Sequence, residues 1–234
     1  MSQAGEETYK LRTENDEVKT SSRGFTGHGT AYYDNGDIYE GDFIDGIRSG
    51  TGIYRYNKSG HRYEGGWEEN VKSGIGKQIY NGVGEYHGYW ENGRRHGEGR
   101  FTYKNGDVYS GWWKYGEKQG YGTYIFKETG MKMTGEWTNG QLLQGQWIYP
   151  NGVYFQGSFE RNKPKGPGTW FFKNGNTLEG TFEQKDVVKD DGEITEPELS
   201  EGGTEKPKKA KFDLVWNTST CIAASAHQVN SVEQ

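Results

Sequence analysis

Histidines, one cysteine and paired carboxylates are the residues of this 234-residue chain that could act as nucleophiles, bases or metal ligands. The histidines are scattered along the chain without a cysteine or carboxylate at metal-ligand spacing: His28, His61, His87, His96 and His227. Cys221 has no activating base near it in the sequence. The paired carboxylates Glu68 and Glu69 fall in a polar stretch typical of an exposed turn. We therefore expect no catalytic residue and no metal ion.

Gly-x-Gly recurs along the chain and is the motif that could hold a phosphate-bearing cofactor. It never continues as the Gly-x-Gly-x-x-Gly that opens the helix of a dinucleotide site. The Gly-x-x-x-x-Gly-Lys-Ser/Thr of a nucleotide-binding loop is also absent from the sequence. No cofactor is therefore expected, and the glycines need another explanation.

The elements that position these residues come from one repeated phrase, aromatic-x-Gly-x-aromatic, which weakens toward the C-terminus. Its seven copies start at residues 39, 63, 86, 109, 133, 155 and 178, with separations of 22 to 24 residues. A fixed period in this range indicates an array of small, similar units.

Each unit reads as two short strands and a turn. The alternation in Tyr39-x-Gly41-x-Phe43 has the period of two that puts both rings on one sheet face. Asn-Gly pairs supply the positive φ angles of a tight hairpin turn, and they occur as Asn35-Gly36, Asn105-Gly106, Asn151-Gly152 and Asn174-Gly175. A unit of this size cannot bury its own aromatic face, so neighbours must stack. The predicted fold is all-β: an elongated array of consecutive antiparallel β-hairpins forming one twisted sheet.

Glycine inside a strand marks a place where another group comes close to the backbone, and we expect that group to be an aromatic ring of the neighbouring unit. The residues predicted to fill the structural positions of the repeat are Tyr39, Gly41, Tyr63, Gly65, Trp67, Tyr86, Gly88, Trp90, Tyr109, Gly111, Trp113, Gly135, Trp137, Gly157 and Gly180. Aromatic residues at the alternate strand positions, whose side chains face away from those rings, are candidates for partner docking. These are Tyr89 and Trp112, with Tyr33 and Phe171 sharing their parity.

The chain divides into three parts. Residues 1–23 form a polar extension, residues 24–182 the array, and residues 183–234 an acidic tail. Within the array, residues 128–182 are irregular, and Leu143 stands where the first glycine of a pair is expected. Residues 183–205 are predicted to be disordered. An apolar segment near 206–216, with Phe212 and Trp216, is predicted to dock on the array or on a partner; the alternative is a chance apolar patch.

The charge of the chain is uneven. Residues 24–182 carry 18 basic and 17 acidic residues, a net charge of +1, whereas residues 183–234 carry 6 and 11, a net charge of −5. A near-neutral array has no electrostatic footprint for nucleic acid or for an anionic membrane. Since no apolar run is long enough to span a bilayer or serve as a signal peptide, we expect an intracellular protein without stable membrane insertion.

The consensus Tyr-Glu-Gly-x-Trp-x-x-Gly-x-x-x-Gly-x-Gly resembles the MORN repeat family over residues 24–182. Within that family, the stretches 126–132, 135–141 and 157–168 are similar to the radial spoke head subfamily, and 206–216 is a fainter match. The resemblance implies a non-catalytic scaffold of the radial spoke head, located in the cytoplasm and cytoskeleton, in the axoneme of motile cilia and sperm flagella. Its implied partners are other radial-spoke-head proteins and a second copy of the chain.

Two other functions remain open on the sequence. One is a MORN-repeat adaptor that links a membrane or phosphoinositide surface to a protein partner, which the near-neutral array disfavours. The other is an enzyme, but the 52 residues after Phe182 are too few and too polar to form a catalytic domain.

Overall fold

The computed structural model describes residues 9–186 and 212–224, and these form one open, all-antiparallel sheet of 17 strands. The strands are β1 Lys10–Thr13, β2 Val18–Lys19, β3 Gly27–Tyr32, β4 Ile38–Ile44, β5 Ile47–Arg55, β6 Arg62–Glu68, β7 Val71–Tyr80, β8 Gly84–Glu91, β9 Arg94–Tyr103, β10 Val108–Lys114, β11 Glu117–Ile125, β12 Lys132–Thr138, β13 Gln141–Ile148, β14 Tyr154–Glu160, β15 Lys163–Phe171, β16 Thr177–Asp186 and β17 Phe212–Ile222. From β3 onward each strand pairs with the next in sequence, while β1 lies between β2 and β3. The predicted fold is confirmed.

One edge of the array, the hairpin edge, consists of two-residue turns. Both residues of each turn have positive φ, as the mirror-image type I turn requires. These turns are Asp45-Gly46, Glu69-Asn70, Asn92-Gly93, Tyr115-Gly116, Asn139-Gly140 and Arg161-Asn162.

The opposite edge, the loop edge, holds the Asn-Gly pairs, which lie in hairpin turns as predicted, but the prediction of positive φ at both residues is wrong. Gly36 has φ of 80°, whereas Asn35 does not have positive φ. The side chain of Asn35 instead accepts a hydrogen bond from the backbone N–H of Asp37 at 3.0 Å. This Asx turn closes a longer loop, in which the N–H of Tyr33 donates to the carbonyl of Asp37 at 2.9 Å.

In the Gly-x-Gly motifs that follow a hairpin turn, the two glycines have different roles. The first lies in a bulge after the hairpin turn and has left-handed backbone geometry, as at Gly74 with φ of 66°. The second lies opposite the glycine of the aromatic phrase, as Gly76 does opposite Gly65. In the fifth unit the bulge is one residue shorter, because Trp137 pairs with Leu142 and Glu136 with Gln144. Leu143 can therefore replace the glycine there.

The core is one layer of rings on one side of the sheet, here called the ring face and defined by Tyr39, Tyr63, Tyr86, Tyr109 and the aromatic residue four positions after each. The four tyrosines are fully buried, and Phe43, Trp67, Trp90 and Trp113 are nearly so. Adjacent rings meet edge to face: Tyr63 lies 5.2 Å from both Trp67 and Trp90. The rings of neighbouring units thus form a continuous ladder.

Both ends of the sheet extend past the predicted array. At the N-terminal end, β1 pairs with β3 and buries Leu11 completely. At the C-terminal end, residues 183–186 belong to β16, so the disorder predicted for them is wrong; they pair with the first residues of β17. The remainder of that prediction, residues 187–205, lies outside the described residues.

Candidate functional site

The residues with chemical potential stay apart in the fold. The Nδ1 of His28 lies 2.9 Å from a carboxylate oxygen of Asp42, and this hydrogen bond is the main reason why the pKa of Asp42 is lowered. His96 forms a similar pair with Glu91 at 3.1 Å, and Cys221 is exposed and free. Within residues 9–186 and 212–224, no three His, Cys, Asp or Glu side chains are grouped to hold a metal ion. Both histidine–carboxylate contacts lie at the surface.

The face opposite the rings carries an open groove of about 570 Å³, here called the glycine groove. Its floor is the backbone of two glycine pairs, Gly88–Gly99 and Gly111–Gly122. One wall is formed by four exposed apolar or aromatic side chains of β7, β8, β10 and β11: Ile75, Tyr89, Trp112 and Tyr121. Polar residues line the other side: His87, Arg100, Ser110 and Thr123.

Two of the residues predicted for partner docking, Tyr89 and Trp112, lie in this wall and are 50% and 51% exposed. Sequence reasoning missed Ile75 and Tyr121, which are 58% and 67% exposed. A signal for both was present, because each is the middle residue of a Gly-x-Gly. Ile75 pairs with Tyr89 across the sheet, and both therefore share one face.

The other two aromatic residues predicted to share this parity lie elsewhere. Tyr33 is on the ring face, where it stacks on Tyr54 at 5.8 Å, so its prediction as an outward residue is wrong. It follows the last residue of β3 and has the parity of Ala31, which is buried on the ring face opposite Tyr39, so the alternation of β3 itself directs Tyr33 to the rings. Phe171 stacks on Tyr154 at 4.6 Å, outside the groove.

In the four units that begin at Tyr39, Tyr63, Tyr86 and Tyr109, the ring that approaches the glycine pair is the tyrosine of the same unit rather than a ring of the neighbouring unit. A Cβ added at Gly99 would lie 2.2 Å from the hydroxyl of Tyr86. That hydroxyl donates to the carbonyl of Tyr89 at 3.0 Å, which locks the ring over the glycine pair. The neighbouring unit contributes its tryptophan differently: the indole N–H of Trp113 donates to the carbonyl of Gly99 at 3.1 Å.

A second feature of the ring face is a row of four half-buried cations, here called the cation ladder: Arg48, Lys72, Arg95 and Lys118. Each is nine residues after the start of a phrase and faces the tryptophan of the next unit at 4.7, 4.8, 4.4 and 4.5 Å from the ring centroid, respectively. The fifth unit has Leu142 in this position. Sequence reasoning missed the ladder, although the fixed spacing was visible.

Burial changes the acid–base behaviour of this face. It lowers the pKa of Lys72 to about 8. It also lowers the pKa of Lys118 to about 8, with a smaller contribution from the positive charge of Arg95. The tyrosine hydroxyls beside them shift in the opposite sense, since burial raises the pKa of Tyr63 and of Tyr109.

The segment predicted to dock near the C-terminus lies in β17, which pairs with β16 along ten residue pairs. Trp216 packs on Phe182 with 4.8 Å between ring centroids and also lies beside Trp170. Phe212 begins the strand opposite Asp186. Residues 206–211 of the predicted segment lie outside the described residues.

Together these features define a class of protein: a β-hairpin repeat protein in which one sheet carries rings on one face and a groove on the other. Five of its units match the MORN repeat, at residues 39–61, 63–82, 86–108, 109–130 and 155–177. The chain therefore belongs to the MORN repeat family, whose repeats are non-enzymatic and suggest a scaffold or adaptor role. The phrases at 133 and 178 fall outside those matches but form β12 and β16 in the same sheet.

Similarity to other proteins is limited. A comparison with curated protein sequences gives no match. Among solved structures, the TCP domain of Drosophila melanogaster SAS-4 (dCPAP), in complex with a proline-rich motif of Ana2 (dSTIL), is similar at 18% identity and a TM-score of 0.43, over 66% of this chain and 84% of that one. The G-box domain of the microcephaly protein CPAP is similar at 8% identity and a TM-score of 0.44, over 66% of this chain and 80% of that one. The TCP10 domain of Danio rerio CPAP is similar at 11% identity and a TM-score of 0.31, over 73% of this chain and 92% of that one. At such TM-scores these similarities support no inference about function. The described residues contain no helix with the length and apolar character needed to span a bilayer.

Proposed function

We propose that the protein is a non-catalytic scaffold that docks other proteins in its glycine groove, within the radial spoke head of motile cilia and sperm flagella. The observation that carries the docking role is the wall of Ile75, Tyr89, Trp112 and Tyr121 beside a floor without side chains. Half-exposed tyrosine and tryptophan are favoured at protein interfaces because they bury much area with little loss of side-chain freedom.

The groove is well suited to hold its shape. The residues that line it stand on five consecutive strands, β7 to β11, and not on mobile loops. The wall residues are backed by buried rings, since Trp90 and Trp113 lie next in sequence to Tyr89 and Trp112 on the ring face. A partner would therefore meet a preorganised surface, which reduces the entropy lost on binding.

The assignment to the spoke head is supported by sequence resemblance. Residues 126–132, 135–141 and 157–168 are similar to radial spoke head protein 1, also called meichroacidin. These stretches form the turns and strands from the end of β11 to β15. The proposed partners are other spoke-head subunits and a second copy of the chain.

Location tests the spoke-head assignment. A tagged chain expressed in motile ciliated cells should remain with the axoneme after detergent extraction and should co-fractionate with spoke heads. Loss of the chain should weaken spoke heads and disturb beating. Complete extraction with the membrane fraction would overturn the assignment and favour the membrane adaptor.

The groove itself is tested by substitution. Trp112→Ala combined with Tyr89→Ala should reduce capture of spoke-head subunits from axonemal extracts by at least about tenfold, because large aromatic residues dominate interface energies. Tyr32→Ala is the matched control: Tyr32 is 42% exposed and lies outside the groove. Equal capture by the double variant and the control would show that the groove is not the docking site.

A further inference from the structure

The cation ladder is a regular row of charge. Successive cations stand on alternate strands, β5, β7, β9 and β11, so they recur about every 9.6 Å across the sheet. An open recess of about 320 Å³ separates Arg48 from Lys72 and is lined by Tyr54, Tyr56 and Trp67. The row therefore combines evenly spaced positive charge with an open recess between its first two members.

None of the four cations forms an ion pair with a carboxylate in the described parts of the chain. Lys72 donates to the side-chain oxygen of Gln78, and Arg48 and Arg95 donate to backbone carbonyls of the hairpin edge. The ammonium of Lys118 faces three rings and has no hydrogen-bond acceptor within residues 9–186 and 212–224. Since an ammonium has three donors, it retains full capacity for an anionic partner.

The surroundings of the lysines favour a carboxylate. The ionisable groups that face Lys118 are Tyr109, Tyr124 and Arg95, and those that face Lys72 are Tyr56 and Tyr63. None of these groups carries a negative charge at neutral pH. A carboxylate placed beside either lysine would stabilise the charged form and raise its pKa from the present value of about 8.

We propose that the cation ladder is a second docking site, on the face opposite to the glycine groove, for an acidic protein segment whose carboxylates recur about every 10 Å. The cations form a single line and are half-buried among rings, which suits a narrow polypeptide better than a flat membrane. The net charge of the array, +1, also lacks the broad positive field that membrane binding requires.

Two synthetic peptides of equal composition test the spacing. Both have a helix-forming background and four glutamates; in one the glutamates stand at every seventh residue, about 10.5 Å apart, and in the other they are consecutive. Calorimetric titration of the full chain should show the spaced peptide binding at least about tenfold more tightly. Equal affinities would overturn the proposal. Binding of phosphatidylcholine–phosphatidylserine vesicles in place of the spaced peptide would also overturn it.

Variants of Lys118 locate the site. Lys118→Met should weaken binding of the spaced peptide about tenfold, the usual effect of losing a hydrogen bond to a charged group, whereas Lys118→Arg should retain affinity. Lys104→Met, which removes an exposed lysine at the loop edge, is the control and should bind normally. Equal loss in Lys118→Met and Lys104→Met, or no loss in either, would contradict the assignment.

Proton uptake on peptide binding distinguishes a binding role of Lys118 from a purely structural one, because a purely structural role would not change it. At pH 8.5, titrations in two buffers of different ionisation enthalpy should show uptake of protons on binding in the natural chain. Uptake should be smaller in Lys118→Arg, because arginine stays charged at this pH. Trp112→Ala should leave peptide binding unchanged, which separates this site from the glycine groove. No proton uptake in the natural chain, or loss of binding in Trp112→Ala, would contradict the proposal.

Discussion

At the scale of single residues, Lys118 is notable because its charge lies 4.5 Å from the centroid of Trp137 without a neighbouring acid in the described chain. In the unfolded chain the lysine has its ordinary pKa of 10.5, while in the fold burial lowers the pKa to about 8. Between these values the unfolded state binds more protons, so this group makes the fold more stable as pH rises. As pH falls through 8, the contribution is lost.

We therefore expect the stability of the natural chain, relative to that of Lys118→Met, to increase between pH 8 and pH 10. Urea unfolding at several pH values measures this difference, with Lys104→Met as the control. Comparison with the variant matters because the buried tyrosines act in the opposite direction: burial raises the pKa of Tyr109, so its contribution falls as pH rises above 10. A pH-independent difference would show that Lys118 is not desolvated.

At the scale of elements, the glycine of each aromatic phrase limits how closely strands and rings approach. A Cβ at Gly111 would lie 2.5 Å from the Cα of Gly122 and 2.9 Å from the hydroxyl of Tyr109. Gly111→Val should thus destabilise the fold by about 1–3 kcal/mol, the usual effect of overpacking. Ser110→Val is the control, because Ser110 is exposed on the other face. Thermal unfolding with equal midpoints for both variants would contradict the packing argument.

The last pair of strands gives a second prediction at this scale. Trp216 attaches β17 to the ring face through Phe182, Trp170 and Phe155. Trp216→Ala should expose the amides of β16 and β17 to faster hydrogen exchange, with a loss of stability below the roughly 3 kcal/mol of a fully buried tryptophan, because Trp216 is only partly buried. Exchange in β4 and β5 should not change and is the internal control. Unaltered exchange in β16 would mean that Trp216 contributes little to the attachment.

The strands and their order could be predicted because ring, glycine and ring alternate with the period of a strand and recur at a fixed distance. The type of each turn could not be predicted, because Asn35-Gly36 and Asn92-Gly93 look alike in sequence. In the first the asparagine side chain captures the N–H of Asp37 and makes a longer loop, while in the second both residues adopt positive φ. Strand register decides between them, and register depends on pairing across the sheet.

The candidate sites were only partly predictable. Strand alternation placed Tyr89 and Trp112 in the glycine groove. Tyr33 was assigned to the wrong face, because it has the parity of Ala31, which is buried on the ring face. The cation ladder was missed because Arg48 and Lys72 read as surface charges. Only the fold shows that each lies over a tryptophan.

At the scale of the whole molecule, each unit contacts its two neighbours, so stability should be a sum of local terms. We expect Gly41→Val to lower protection from hydrogen exchange in β3 to β6 and to leave β13 to β16 unchanged. The reason is that the three atoms nearest to a Cβ at Gly41, which belong to Gly52, Thr51 and Tyr39, all lie in its own unit. A uniform loss of protection over the entire sheet would indicate a single cooperative unit instead.

The backbone bonds of the hairpin edge have a mechanical consequence. The N–H of Gly93 donates to the carbonyl of Lys72, that of Gly116 to Arg95, and that of Gly140 to Lys118, each at 3.0 Å. These bonds, like those of the strand ladder, lie across the strands and therefore along the array. Tension applied between the two ends of the array pulls on them end-on and opens them one strand at a time. A load along the strands acts on many bonds in shear at once, so the sheet should resist force far better in that direction.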